Sequence, residues 1–479
     1  KITIEEEGNL QCIIRIDGIH QVRDRSKELI PFILRFIFYF NEPYIKIIHT
    51  FLYDGDAKQD FMKGIGIRFD CPIHGKLYNR HIKASGENGV FHEASQLLLS
   101  WRPRLPENIY PLQNKGVILT KEQMGDPSIA EALEDITIWD SYRLYQDSAR
   151  HYNIRKSTGK EGCCCINAIQ GGRAGGIMAV GGEDGGIVIG MKDFWQKYPS
   201  SLWVENLSKN HVKVPAWIWS CENEAMDFRH YDTVGHAGSY YEGFDEVGST
   251  PYGIANTNEI IVFGFQDGIP ADETIKQYEK MVQKPPVLAA DPEYYHSAKA
   301  FDKNEIDQRE WYGLFNYGDF MHTYDAERHC WRYDMGGYAW QNTELVPTLW
   351  LWYAYLRTGR EDIFTIAEAM TRHCSEVDIY HFGELKGLGS RHNVLHWGCS
   401  CKEPRIAMAG HHRFYYYLMG DYRLGDVFDE VQDADYSTLY MDPLRHFFNK
   451  EDMVYPTHAR SGPDWSSYCS NWMTAWERN

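Results

Sequence analysis

The sequence predicts a multidomain protein of the β + α class, in which an antiparallel β-sandwich is followed by an α/α toroid that is incomplete in this chain. Three observations lead to this prediction. The first half of the 479-residue chain consists of short β-branched and aromatic runs, the pattern changes at Asp267 and Gly268, and the last part repeats a helical hairpin followed by a long loop. A chain of this length is expected to form two or three domains.

Residues 1–285 are predicted to form the sandwich domain. Turn residues separate four apolar runs, at residues 13–22, 31–40, 44–53 and 63–72, and this spacing is typical of antiparallel strands. Asp17-Gly18 and Asp54-Gly55 are predicted to form hairpins or turns. The glycine-rich stretch at residues 162–190 is interpreted as a β-meander, because no helix carrying Lys-Ser/Thr follows it as in a phosphate-binding loop. The last strand is predicted to end near Gln266.

Residues 286–479 are predicted to form the helical domain. Residues 344–357 and 361–372 have helical periodicity, and Thr358-Gly359-Arg360 between them is a typical C-cap turn. About 62 residues later, a similar pattern recurs at residues 417–428. Helical hairpins alternating with long loops favour a toroid over a four-helix bundle, whose loops are short.

Composition limits the possible partners. The formal net charge of −18 argues against a nucleic-acid ligand, which would require basic stripes. It also means that an acidic substrate would need a local basic pocket. The richest apolar run, residues 31–40, is too short to span a bilayer, so no membrane association is predicted. The sequence does not indicate an oligomeric state.

The chain opens on Lys1 and not on Met, and it ends within a predicted helix, so we expect a segment of a longer protein. Cys163, Cys164 and Cys165 are consecutive, and neighbouring cysteines cannot pair with each other in ordinary geometry. Reduced thiols and a cytoplasmic location are therefore expected.

Three polar segments, at residues 318–342, 389–398 and 458–472, contain more His, Arg, Tyr, Trp and Asn than packing requires. In a ring of hairpins, their loops would converge on one end and build a shared cleft. Two chemistries are open. Asp325, Asp334 or Glu344 could be the acid and base of a glycoside hydrolase. The Arg, His, Tyr and Asn set instead suits β-elimination at a uronic acid, in which the carboxylate is neutralised before a base removes the C5 proton.

A third possibility is a carbohydrate-binding protein without catalysis, because the 14% aromatic content could supply sugar-stacking surfaces. His392 and His396 are four residues apart and could bind a divalent cation from one helix face. Gly389 and Gly398 argue against a helix there, so no metal or other cofactor is predicted.

Long motifs in both halves resemble one known family. In the helical half they are YGDFMHTYD, RHCWRYDMGGYAWQNTEL, LWLWYAYLRTGREDIF, AMTRHCSEVDIYHFG, KGLGSRHNVLHWGCS and RSGPDWSSYCSNWMTAWE. Upstream they are IIHTFLYDGD, KGIGIRFD, LYNRHIKASGE, GGRAGGIMAVGG, MKDFWQKYP and STPYGIANTNE. Together they look like the exo-rhamnogalacturonan lyase family, family 26 of the polysaccharide lyases.

The resemblance implies a central β-sandwich and part of an α/α toroid, preceded in the family by a further β domain. It also implies a pectic substrate, the rhamnogalacturonan I backbone of alternating galacturonic acid and rhamnose. The family releases unsaturated disaccharides from a chain end by β-elimination. Its site segments correspond here to HTYD, WRYD, GGYAWQN and RHNVLHWG.

Chemistry then suggests a role for each residue in those segments. We expect His392 or His396 to be the base, Tyr338 the proton donor, and Arg391 with Asn393 to neutralise the carboxylate. The remaining candidates are expected to hold the sugar; they are His322, Tyr324, Arg332, Trp340 and Trp397.

Overall fold

The computed structural model describes residues 1–21, 27–98, 109–228, 250–286, 310–319, 321, 324–331, 347–390, 397 and 401–479. Within these residues the first half forms two antiparallel sheets, as predicted. The larger sheet has nine strands in the order β1-β2-β3-β4-β15-β12-β11-β6-β7 and the smaller has six in the order β10-β9-β8-β13-β14-β5.

The strand bounds follow the apolar runs closely. In the nine-stranded sheet they are β1 (Ile2–Glu7), β2 (Gln11–Gln21), β3 (Glu28–Tyr39), β4 (Tyr44–Leu52), β6 (His81–Gly86), β7 (Gly89–Ala94), β11 (Ile177–Gly182), β12 (Gly185–Met191) and β15 (Ala255–Phe265). In the six-stranded sheet they are β5 (Ile65–Pro72), β8 (Ser141–Ser148), β9 (His151–Ser157), β10 (Ile166–Gly171), β13 (Ser200–Val204) and β14 (His211–Trp219). The last strand therefore ends at Phe265, one residue before the predicted end.

Alternation of side chains explains why the sheets pack face to face. Along β8, Tyr142 and Leu144 are fully buried, whereas Arg143 between them is only half-buried. The inward residues of the two sheets form one apolar core, which includes Ile82 and Val214. A period of two with one apolar face is what places a strand in a sandwich.

One predicted turn is wrong. Asp17 and Gly18 lie inside β2, where they pair with Ile33 and Phe32 of β3. A Cβ atom on Gly18 would stand 2.3 Å from the ring of Phe32, so the glycine makes room for that ring across the strand pair. Asp54 and Gly55 do lie in a connection, directly after β4.

The glycine-rich stretch contains strands, as predicted, but they are divided between the sheets. β11 and β12 form a hairpin that closes at Gly182 and Gly185, whereas β10 belongs to the six-stranded sheet. Three helices accompany the sandwich, α1 (Ile109–Asn114), α2 (Pro127–Asp135) and α3 (Asp272–Gln283).

The helical half contains the two predicted hairpins. Its helices are α4 (Pro347–Thr358), α5 (Glu361–Glu376), α6 (Arg413–Met419), α7 (Tyr422–Val431), α8 (Ala434–Ser437) and α9 (Pro463–Arg478). The first hairpin turns at Gly359 and the second at Gly420, both with positive φ, which is the C-cap conformation that glycine adopts without strain. Asp421 caps α7, because its side chain accepts a hydrogen bond from the Leu424 N–H at 2.8 Å.

Packing of the hairpins builds a second core. Trp352 of α4 is fully buried and its indole N–H donates to Thr371 Oγ1 of α5 at 2.9 Å. The Trp352 ring lies 5.6 Å from that of Phe364 and 5.7 Å from that of Tyr415, which joins the first hairpin to the second. No helix in the described part of the chain is long and apolar enough to cross a membrane.

Candidate functional site

A buried layer of charged residues joins the sandwich to helix α5. Lys192, which follows β12, donates to Glu368 of α5 at 2.6 Å. Lys46 of β4 pairs with Glu259 of β15 at 2.8 Å, and Arg372 of α5 lies 3.5 Å from the same carboxylate. Burial opposes the ionised form of Glu259, but the charges of Lys46, Lys192 and Arg372 together lower its pKa well below the usual range.

The cavity inside this layer is too small for a sugar. Its volume is about 30 Å³, which is room for about two water molecules. Lys192 and Arg372 pair with the surrounding carboxylates, and Lys197 donates to the Thr257 carbonyl at 3.0 Å, so these buried cations have partners within the protein. We therefore interpret this layer as the attachment of the sandwich to the helices and not as a substrate site.

The long loops lie at the end of the hairpins opposite the short turns at Gly359 and Gly420. Two long connections lie at that end: residues 377–412 between α5 and α6, of which 377–390, 397 and 401–412 are described, and residues 432–462 between α7 and α9. Contacts tie them to each other and to Phe315. The rings of Phe315 and Trp397 lie 5.8 Å apart, and the Ser437 hydroxyl donates to the Lys386 carbonyl.

The sandwich contributes to the same end. The Tyr380 hydroxyl donates to the Thr250 carbonyl at 2.7 Å, and the His381 N–H donates to the Gly253 carbonyl at 2.8 Å. Thr250 and Gly253 directly precede β15. These contacts join the loop that leads to the second polar segment to the sandwich, and the predicted convergence of the three polar segments stays a prediction.

The second polar segment is closed at its base by a short ladder. Gly389 and Ser390 pair with Glu403 and Lys402 as two-residue strands β18 (Gly389–Ser390) and β19 (Lys402–Glu403). The Lys402 ammonium is buried, and it donates to Ser390 Oγ at 2.8 Å and to the Trp397 carbonyl at 2.9 Å. Because a buried ammonium must be hydrogen-bonded, Lys402 fixes the distance between its two acceptors in the loop, Ser390 and Trp397.

Trp397 lies in the core and not on the surface predicted for a sugar-stacking residue. It is 1% exposed, and its indole N–H donates to the Phe228 carbonyl at 3.1 Å. Its ring also packs against those of Phe228 and Phe315. The apolar ring therefore anchors the loop, and a large aromatic residue with a satisfied N–H suits a core position.

Arg460 joins the third segment to β19, which pairs with the start of the second segment. The Arg460 guanidinium donates to both oxygens of Asp464 at 2.8 and 2.6 Å, and to Glu403 at 3.0 Å. The bidentate contact with Asp464, which is fully buried, starts helix α9. The carboxylates of Asp464 and Glu403 raise the pKa of Arg460 further above its usual range, although burial opposes them.

His458, at the start of the third segment, is oriented by Asp442. Its Nδ1 lies 3.0 Å from Asp442 Oδ2, and its backbone N–H donates to the same oxygen at 2.8 Å. These bonds lower the pKa of Asp442, although partial burial opposes them. A carboxylate within hydrogen-bond distance of Nδ1 orients the imidazole ring, as in many catalytic histidines.

The first segment contains Tyr324 and Asp325 in a small hairpin, β16 (Tyr324–Asp325) and β17 (Cys330–Trp331). Tyr324 is 45% exposed, with its ring edge against Trp331 at 5.3 Å, so it is accessible as the sugar-holding prediction requires. Asp325 accepts the backbone N–H groups of Glu327 and Arg328 at 3.0 and 3.1 Å. That arrangement is a turn cap, and it does not resemble the environment of a general acid.

Most of the predicted site lies outside the described residues. This applies to His322, Arg332, Tyr338, Trp340, Arg391, His392, Asn393 and His396, and to the hydrolase candidates Asp334 and Glu344. Their assigned roles stay predictions. Among the described residues, no group of three or more His, Cys, Asp or Glu side chains could hold a metal ion.

Sequence reasoning missed two sets of residues near this end. Lys402 sits four residues outside the second polar segment, and Asp442 is 16 residues from His458. Neither position follows from a local pattern. The sequence did contain one clue to the Asp442–His458 pair. His458 opens the third polar segment at a position that neither helical nor strand periodicity explains.

The fold defines a class: a β-sandwich joined to an α/α toroid, with long connections at one end of the helices. Models of the PcRGLX-like protein family match nearly the entire chain, the central β-sandwich domain at residues 1–280 and the C-terminal α/α toroid domain at residues 289–479. The chain therefore belongs to the PcRGLX-like family, which is rhamnogalacturonan lyase-like. Both the predicted family and the predicted fold class are confirmed.

Among curated proteins, the chain is similar to "Uncharacterized protein YetA" of Bacillus subtilis (strain 168). The two are 45% identical over 506 residues, which cover 100% of this chain and 58% of that protein. The chain thus spans little more than half the length of this relative.

Solved structures offer only distant similarity. A putative aldose 1-epimerase from Escherichia coli K12 matches 56% of this chain and 69% of its own, with 9% identity and a TM-score of 0.23. A galactose mutarotase related enzyme from Lactobacillus acidophilus matches 56% of this chain and 71% of its own, with 9% identity and a TM-score of 0.21. Scores this low carry no argument about function.

Proposed function

We propose that this protein takes part in cleaving the rhamnogalacturonan I backbone of pectin by β-elimination at galacturonic acid, from a chain end. One observation carries the proposal: both domain models of a rhamnogalacturonan lyase-like family match the chain, and together they cover nearly all of it. The contacts between the long connections at one end of the helical domain support it, since a long saccharide needs a cleft and not a closed cavity.

In the proposed reaction, Arg391 and Asn393 bind the uronate carboxylate and reduce its charge. His392 or His396 removes the proton from C5, the electron pair forms the C4=C5 double bond, and the C4–O4 bond breaks. Tyr338 then donates its proton to the departing O4. Neutralising the carboxylate lowers the activation barrier electrostatically, because negative charge builds up beside this group in the transition state.

Sugar binding is assigned to His322, Tyr324, Arg332 and Trp340. Of these, Tyr324 is in the described part of the chain, and its exposure supports the assignment. We leave Trp397 out of this set because its ring packs in the core. We further propose that the protein works in the cytoplasm on pectic oligosaccharides; the exposure of Cys163, Cys164 and Cys165 supports a reducing compartment.

The test is to incubate the full-length protein with rhamnogalacturonan I and to follow ultraviolet absorbance together with new reducing ends. Elimination produces a conjugated double bond, whereas hydrolysis gives reducing ends without that absorbance. New reducing ends alone would move the hydrolase hypothesis to first place. Binding without either product would instead favour the carbohydrate-binding hypothesis.

Variants separate the proposed roles. His392→Ala or His396→Ala is expected to reduce turnover about 10²–10⁴-fold with binding largely kept, because general base catalysis is worth that much. Arg391→Ala is expected to weaken binding as well, because an Arg–carboxylate contact exists before the reaction begins. Full activity of both His variants would refute this assignment of roles.

A further inference from the structure

The loop between α8 and α9 is tied together at its two ends. Asp442 near its start accepts the N–H of Leu444 at 2.7 Å and the N–H of His458 at 2.8 Å. The Thr457 hydroxyl donates to the Thr438 carbonyl at 2.8 Å. These bonds join the two ends of the loop, which contains one turn of 3-10 helix at Lys450–Asp452.

An open pocket of about 490 Å³ lies within this loop, between residues 439 and 456. That volume is in the range of ligand sites. Two of its aromatic residues are accessible, because Tyr440 is 49% exposed and Phe448 is 52% exposed. His458 stacks on one face of Phe448, with ring centroids 4.9 Å apart, so the Asp442–His458 pair also fixes the Phe448 ring.

The pocket combines these rings with cations. Arg445 and Lys450 line it. The acidic residue Glu451 lines it as well, and its carboxylate is not one of the groups that join the two ends of the loop. Asp442 lines it too, but its oxygens already accept hydrogen bonds from Leu444 and His458. Two cations and two carboxylates therefore line the pocket beside its exposed rings, and Arg445 also donates to the Asp442 carbonyl at 3.3 Å.

The pocket is at the loop end of the helices. Tyr440 shares a hydrogen bond with Glu384 of the preceding long loop, and this carboxylate, together with burial, raises the pKa of the phenol. His458, which supports Phe448, opens the third polar segment. The pocket therefore borders the connection between α5 and α6 and the start of the third polar segment.

We propose that this pocket is a binding subsite for an acidic oligosaccharide, in which Tyr440 and Phe448 stack on sugar rings and the Lys450 ammonium contacts a uronate carboxylate. Apolar CH faces of a pyranose match aromatic rings, and a carboxylate matches a guanidinium or ammonium group. The subsite rests on the proposed function for its ligand class. Asp442 and His458 act as positioning residues for it.

Calorimetric titration with oligosaccharides of alternating galacturonic acid and rhamnose tests the aromatic part. Phe448→Ala is expected to weaken binding roughly threefold to tenfold, the worth of one aromatic contact. Phe448→Tyr should bind like the wild type. Phe447→Ala is the matched control, because Phe447 is the adjacent residue, is 77% exposed and does not line the pocket.

The charge part is tested with the same oligosaccharides after reduction of their carboxylates to alcohols. Lys450→Met should weaken binding of the acidic form and leave the reduced form unchanged, whereas Lys58→Met on the sandwich should change neither. Circular dichroism of each variant checks that the loop change has not unfolded the chain.

The possible outcomes separate the subsite from the lyase proposal. If Phe448→Ala and Phe447→Ala bind alike, or the wild type does not bind these oligosaccharides, the subsite is wrong. If the aromatic and lysine variants lose binding as expected while the wild type forms no double bond, the subsite stands and the lyase proposal fails. Normal elimination by Phe448→Ala with unchanged KM would refute the subsite alone.

Discussion

Removing the Lys192 ammonium should destabilise the protein more than any exposed charge change at the same interface. Lys192 contacts Glu368 at 2.6 Å, and both side chains are nearly buried. At that distance, an effective dielectric constant of about 20 gives an attraction of about 6 kcal/mol. Part of this is offset because the ammonium no longer has to be desolvated. Losing one partner of a buried pair typically costs about 3–5 kcal/mol, and we expect Lys192→Met to fall in that range.

Urea unfolding followed by circular dichroism and tryptophan fluorescence measures the change. Lys284→Met is the matched control, because Lys284 pairs with Glu361 on the same helix α5, but both side chains are mainly exposed. That variant should lose at most about 1 kcal/mol. Glu368→Leu combined with Lys192→Met should recover much of the loss, because it removes the unpaired buried carboxylate. Equal losses for Lys192→Met and Lys284→Met would refute the interpretation of this layer as a buried attachment.

Three further outcomes follow from single sites. Gly318→Ala should lower the free energy of unfolding by about 3 kcal/mol or more, because φ is +101° and a Cβ would stand 2.1 Å from the Ala369 carbonyl oxygen. Gly420→Ala should lower it by only about 1–2 kcal/mol, because φ is +61° but the space around the residue is open. Thermal unfolding measures both changes. Trp397→Ala should lower stability by about 3–5 kcal/mol, as expected for a core aromatic, and loss of binding without loss of stability would return Trp397 to the substrate-binding set. The pKa of Asp442 is lower in the folded state than its ordinary value of 3.8, so its stabilising effect is present above that value and is lost as the pH falls through the lower folded pKa. Asp442→Asn should therefore unfold with a weaker dependence on pH below about pH 4 than the wild type, and an unchanged acid profile would contradict the proposed role of Asp442 in the loop.

Local pattern was sufficient to predict the sandwich and the hairpins. Strand β4 and the Gly359 turn follow directly from side-chain alternation and from a glycine at a helix end. The prediction failed at Asp17-Gly18, where the glycine is required by the ring of Phe32 on the neighbouring strand and not by the chain direction. In the sequence, a glycine that is required by a contact with a distant residue cannot be distinguished from a glycine that is required by a turn.

The candidate site was less predictable because its contacts are distant in sequence. Tyr380 and Thr250 are 130 residues apart, and Trp397 and Phe228 are 169 apart. Neither pair belongs to a motif. Trp397 is an example. A tryptophan in a polar loop suggests a sugar-binding surface, but the side chain of Trp397 is buried and anchors the loop in the core.

That anchor connects the two domains at the loop end. Trp397 contacts Phe228, which lies after the last strand of the six-stranded sheet, and Lys402 holds the Trp397 carbonyl from the other side. The Tyr380 hydroxyl reaches the Thr250 carbonyl on the sandwich side as well. The geometry of the second polar segment therefore depends on the sandwich as much as on the helices. It follows that the buried charges around Lys192 and Glu368, although they face a cavity too small for a sugar, influence the site by fixing α5 and the loop that leaves it.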